Sequence, residues 1–223
     1  MTNFRHVAPV AFPTFEPRHI NMMPFVMGDP SSIPAELHGY LPMIDACPLG
    51  DEVGKVGYLT IDERYVAEGS QRRAGVHTEG FGTASWGGWG GGSRGGAPKR
   101  ASWGGWGGGS WGAGGGLFIA NSVDDSCILF DAAIEDTPFG GAVSDEQLVG
   151  VSHTLMPANN VFWLHDRTPH ASMPVRNTNR QFFRLVTSEV SMWFSKHSTP
   201  NPLGVQPTAR IIDQDKFEMM AAA

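Results

Sequence analysis

Gln181-Phe182-Phe183-Arg184-Leu185-Val186-Thr187-Ser188-Glu189-Val190-Ser191-Met192-Trp193-Phe194 is the stretch that decides the fold class. It is the longest run of aromatic and β-branched residues in the chain and contains neither glycine nor proline, so it favours pleated, extended backbone. Shorter segments of the same kind lie upstream. Val56-Gly57-Tyr58-Leu59-Thr60-Ile61, Arg64-Tyr65-Val66-Ala67, Gly75-Val76-His77-Thr78-Glu79, Leu117-Phe118-Ile119-Ala120, Cys127-Ile128-Leu129-Phe130, Leu148-Val149-Gly150-Val151 and Val161-Phe162-Trp163-Leu164 are separated by turn-forming residues. Eight or nine short strands with almost no helical periodicity predict an all-β chain closed into a sandwich or jelly roll.

The flanks read differently. Pro9, Pro13, Pro17, Pro24, Pro30, Pro34, Pro42 and Pro48 punctuate residues 1–55 and interrupt any long helix or central strand. An irregular arm is expected there, held on the core by Phe12, Phe15, Met22, Met23, Phe25 and Met27, with one short helix opening at Pro34-Ala35-Glu36-Leu37. The β domain then spans 56–195, and residues 196–223 form an irregular tail.

The 223 residues hold 29 glycines, and these concentrate in residues 83–116. Within that stretch Ala84-Ser85-Trp86-Gly87-Gly88-Trp89-Gly90-Gly91-Gly92-Ser93 recurs letter for letter from Ala101 to Ser110. Two copies are too few for a solenoid, so the stretch reads as an insertion between strands. Glycine this dense is entropically costly to order and favours a mobile loop. The sharper expectation is that Trp86, Trp89, Trp103, Trp106 and Trp111 form a contact surface, for stacking or for homo-oligomer assembly.

A net charge of −6 gives nucleic acid or an anionic membrane no long-range reason to bind, and no apolar run approaches the ~20 residues of a bilayer span. Cys47 and Cys127 are expected to be free core thiols, consistent with a reducing cytoplasm. Nucleophile elbow, phosphate loop and paired CxxC are all missing from the sequence, which leaves acyl transfer, nucleotide hydrolysis and a structural zinc without support.

The chemistry concentrates elsewhere. His77 and Glu79 are two apart on a predicted strand and project from the same face, so they can occupy adjacent positions on a metal. A third ligand has to come from Trp163-Leu164-His165-Asp166-Arg167-Thr168-Pro169-His170, where His170 is the first choice and His165 competes with it. Asp166 is expected either to pair with Arg167 or to support a ligand imidazole from outside. Arg72-Arg73 would be solvated at a turn or would steer an anionic substrate.

His77-x-Glu79, a distant His170 and Arg180 ten residues further on resemble the facial triad and carboxylate-binding arginine of the iron(II)/2-oxoglutarate-dependent dioxygenases. The resemblance covers roughly residues 56–195 and places the chain in the broader cupin-like, double-stranded β-helix group. It implies Fe(II) held by His77, Glu79 and His170, with 2-oxoglutarate held by Arg180 or, one strand repeat further, by Arg184. The substrate would be a small molecule or a protein side chain. This chain departs from the family pattern in having Glu where Asp is commoner, and in carrying the glycine-rich insertion just after it. Two other readings stand beside this one: a metal-binding cupin that uses no 2-oxoglutarate, and a non-catalytic jelly roll that assembles through the tryptophan-rich insertion.

Overall fold

The structure is a computed structural model, and it describes residues 3–73, 75–79, 116–135, 137 and 141–221. The tryptophan-rich repeat, with Trp86, Trp89, Trp103, Trp106 and Trp111, lies outside the described residues. The chain is mostly β, and its two larger sheets are antiparallel. One sheet has six strands: β1 (Phe4–Pro9), β2 (Arg18–Val26), β3 (Val56–Gly69), β4 (Leu117–Asn121), β7 (Asn160–Leu164) and β9 (Val175–Val186), in the order β1-β7-β4-β9-β3-β2. A second sheet has the order β6-β5-β8, from β5 (Cys127–Phe130), β6 (His153–Leu155) and β8 (His170–Ser172).

The alternation along β4 and β9 explains why residues 117–120 and most of 182–186 are apolar on both faces. Phe118, Ala120, Phe183 and Leu185 face one core, with Ile33, Leu37, Tyr40, Met43 and Ile44 of the arm packed over it. Leu117, Ile119, Phe182 and Val186 face a second core, shared with Cys127 and Leu129 of the smaller sheet. Both faces of the large sheet are therefore covered, and each fully buried Leu or Phe contributes roughly 1.5–3 kcal/mol.

The proline-rich arm is not irregular, as its sequence suggested. It supplies β1 and β2, the two outermost strands of the large sheet. An edge strand has one row of backbone groups that needs no partner, so Pro9 and Pro24 remove no ladder bond that the sheet requires. Met22, at φ 49°, sits where the β2–β3 register shifts. The expected helix at Pro34 is a 3₁₀ helix over Ala35–Tyr40 that runs into α1 (Leu41–Asp45). The tail is also ordered in part: β11 (Arg210–Ile212) pairs in parallel with β10 (Met192–Phe194), and α2 (Lys216–Ala221) follows.

Two strand expectations fail for local reasons. The 181–194 run breaks after Val186, because the Ser188 amide donates to Glu52 Oε2 (2.8 Å) and the Thr187 hydroxyl accepts from the Gly116 amide (2.9 Å). Leu148–Val151 follows a 3₁₀ helix, Asp145–Leu148, started by a Ser144–Gln147 capping box, and leaves Val149 82% exposed. Both cysteines are free and buried, as expected. No helix among the described residues is long and apolar enough to cross a membrane.

Gly116 carries the chain into β4 at φ +139°, and a Cβ built there lies 1.9 Å from Trp163 Nε1. Backbone strain and overpacking then act together. Gly116→Ala should lower the unfolding free energy by about 3 kcal/mol, measured by denaturant titration, whereas an unchanged midpoint would show that Trp163 swings away without cost.

Candidate metal centre

Residues 75–79 form no regular strand, yet they are held as one. His77 exchanges both backbone hydrogen bonds with His170 (N to O, 3.0 and 2.9 Å), an antiparallel bridge that sets their side chains next to each other. On the far side the segment bonds to residues 141–143, through the Thr78 amide to Gly141 O (2.8 Å) and the Val143 amide to Val76 O (3.0 Å). The Glu79 amide donates to Asp166 O at 2.8 Å. The smaller sheet thus gains a fourth rung beyond β8, and two histidines distant in sequence become neighbours.

One ligand atom each from His77, Glu79 and His170 lies within 4.8 Å of the others. The two imidazole centroids are 4.6 Å apart, and His170 Nε2 is 3.6 Å from Glu79 Oε1. Each histidine turns Nδ1 to the carbonyl two residues before it: His77 to Gly75 O and His170 to Thr168 O, both at 2.9 Å. A carbonyl only accepts, so Nδ1 carries the proton and Nε2 keeps the lone pair that a metal needs. Backbone carbonyls therefore do the orienting that the sequence offered to Asp166, and His165 does not join the group as its third member. Those two face each other instead (Nδ1 to Oδ1, 2.7 Å), and His165 Nδ1 accepts from the Arg167 amide at 2.9 Å. The expected Asp166–Arg167 pair does not form; Arg167 reaches Glu135 O at 3.4 Å.

The two arginines divide their work. Arg184 donates to Glu79 Oε1 at 2.7 Å, and both side chains are under a tenth exposed. Arg180 has no exposed surface and donates to Ser172 Oγ (2.8 Å), to Ser126 O (2.8 Å) and to Asn121 Oδ1 (2.5 Å). All three acceptors are neutral, and its Nε is buried without a partner. No carboxylate pairs with Arg180 among the described residues. Such a guanidinium is a buried charge that no carboxylate contacts, an arrangement that favours an incoming anion. Arg180, Phe182 and Arg184 alternate along β9 and line one cavity of about 110 Å³, together with His77, Glu79 and His170.

Ser172 and Asn121 escaped the sequence reading, although each left a trace. Ser172 is two residues beyond His170, on the same face of β8, and Asn121 is the single polar residue of Leu117–Asn121. Lys216 also lines the cavity, from α2, and no sequence pattern links it to the triad.

Burial raises the Glu79 carboxyl, but the Arg184 guanidinium, His170 and His77 outweigh it and hold Glu79 well below the ordinary carboxylate range. Burial first, and then the neighbouring His170, push His77 down to about 3 from its usual 6.5. Between those values the unfolded chain holds a proton that the folded chain refuses, so stability falls as pH drops from 6.5. The depressed Glu79 acts with the same sign. The metal-free protein should lose about 2 kcal/mol between pH 7 and pH 5 at up to ~1.4 kcal/mol per unit for His77, and His77→Gln should flatten the slope. Denaturant midpoints across that range test this, and a level profile would contradict it.

The chain matches no family model, and comparison with curated proteins and with solved structures found no match.

Proposed function

We propose that the protein is a non-haem iron oxygenase that couples the oxidative decarboxylation of 2-oxoglutarate to hydroxylation of a substrate. Two neutral imidazoles and one carboxylate facing one cavity are the donor set of such a site, with open positions left on the ion. The observation that carries the reading is Arg180, a fully buried guanidinium with only neutral acceptors, in the wall of the cavity that the three ligands share. A carboxylate at the far end of a bound 2-oxoglutarate would complete that charge.

The strand order supports a double-stranded β-helix of the cupin or jelly-roll kind. From β3 onward the chain passes to 75–79 in the small sheet, back to β4, over to β5 and β6, back to β7, over to β8 and back to β9. The triad then lies between the sheets, where both contribute side chains. A bound iron(II) would supply electrons for splitting dioxygen, one oxygen atom passing to succinate and the other to the substrate, with release of carbon dioxide. His77, Glu79 and His170 hold the ion, Arg180 orients the cosubstrate, and Arg184 fixes the Glu79 carboxylate.

The test is succinate formation from 2-oxoglutarate by anaerobically iron-loaded protein on admission of air. Succinate that depends on iron and disappears in His170→Ala is expected. Metal binding without any 2-oxoglutarate binding would instead favour the cupin reading that lacks the cosubstrate.

A further inference from the structure

Arg180 alone offers a carboxylate an incomplete seat. A guanidinium has five N–H donors, and three of those of Arg180 go to Ser172, Asn121 and Ser126. Two remain, one of them the unpartnered Nε. A carboxylate has about four lone-pair sites, and burial makes each unfilled one costly. A second donor has to come from the same cavity wall. The Cα register sets Asp62 beside Phe182 and Arg64 beside Arg180, so the face of β9 that lines the cavity continues onto β3.

Arg72 reaches over that face. Its guanidinium lies 5.2 Å from the centroid of the Phe182 ring and lines the cavity with Arg180. Its root is fixed. The Arg72 amide donates to Ser172 Oγ at 3.4 Å, the oxygen that also takes Arg180 Nη1 at 2.8 Å, and Gln71 Nε2 before it bonds to Asp62 O (2.7 Å) and Arg180 O (3.2 Å). Its head is held loosely. One contact, Nη1 to Asp62 Oδ2 at 3.3 Å, ties it down, whereas Arg64 grips both oxygens of that carboxylate and His19 Nδ1 stands 3.4 Å from Oδ1. Asp62 therefore keeps a bidentate partner when Arg72 leaves it. We propose that Arg72 is the second arm of the carboxylate site: its guanidinium turns from Asp62 and donates to the ligand carboxylate that Arg180 holds. This rests on the cavity taking a dicarboxylate such as 2-oxoglutarate at Arg180, and it needs no further molecule. Asp62 then competes with the ligand for Arg72.

Calorimetric titration of the full chain holding Mn(II), with 2-oxoglutarate and with glutarate, which shares the far carboxylate but lacks the keto group, tests the proposal. Arg72→Gln should weaken both ligands tenfold or more. Arg72→Lys, which keeps a cation beside Asp62 but loses the planar fork, should weaken them at least threefold. Asp62→Asn should tighten both at least threefold, because it removes the competitor. Affinities within twofold of the parent in Arg72→Gln overturn the proposal, and so does an Asp62→Asn variant that weakens binding as Arg72→Gln does, since Asp62 would then only prop Arg72 in place. Thermal midpoints identify a variant that fails to fold; if Asp62→Asn is one, the two Arg72 variants decide. Failure of both ligands to bind the parent also overturns it. If 2-oxoglutarate binds no more tightly than glutarate while both follow the expected pattern, the cosubstrate reading falls and the role of Arg72 stands.

Discussion

Arg180→Met should reduce 2-oxoglutarate affinity by about a hundredfold or more while leaving Mn(II) affinity within a few-fold of the parent. A bidentate charge-assisted contact with a buried carboxylate is worth about 1.5–3 kcal/mol per hydrogen bond, and methionine removes all of it. The metal is spared because Arg180 bonds to Ser172, Ser126 and Asn121 and makes no hydrogen bond to His77, Glu79 or His170. The substitution also removes a buried charge that no carboxylate contacts, which offsets part of the cost of orphaning Asn121 Oδ1 and Ser126 O. Calorimetry with each ligand gives both numbers. Retention of 2-oxoglutarate binding by Arg180→Met would pass the anchoring role to Arg184, the alternative on the same face of β9.

His170→Ala should show the converse, a loss of metal affinity on the order of a hundredfold or greater, since even outer partners of a ligand are worth 10–100-fold. His170 gives Nε2 to the site, and its backbone holds His77 in place. Alanine keeps the backbone bridge, so the loss isolates the imidazole. An equilibrium titration with Mn(II), read alongside the thermal midpoint, separates lost coordination from lost folding. Metal affinity that survives the change would remove His170 from the ligand set.

Much of the site was legible because strands have a period of two and few ways to satisfy it. His77 with Glu79, and Arg180 with Arg184, each share a face for that reason, and the apolar runs around them left little choice about which face is inside. What escaped depends on partners remote in sequence. Pro9 and Pro24 argued against strands, and only the position of β1 and β2 at the two edges makes them acceptable. The 75–79 segment reads as a strand in its own right, yet its order comes from bridges to His170 and Ala142. That Arg184 would be taken by Glu79 while Arg180 had no acid could not be read from two arginines four apart. Lys216 reaches the cavity only because the tail folds back, with His197 Nε2 3.1 Å from Asp215 Oδ2 and Asp215 Oδ1 accepting from the Phe217 amide at 2.8 Å.

The strand order of the large sheet has a kinetic consequence. In β1-β7-β4-β9-β3-β2, only β3 and β2 are neighbours both in space and in chain order, and Phe4 pairs with Leu164 across most of the sequence. Loop-closure entropy has to be overcome before such pairings are rewarded, which puts folding in the slow, milliseconds-to-seconds range of high-contact-order β proteins or beyond. His77 and His170 meet only when β8 is seated. On the proposed reading metal capture is therefore a late event in folding, and ion added to the unfolded chain would find ligands but no site.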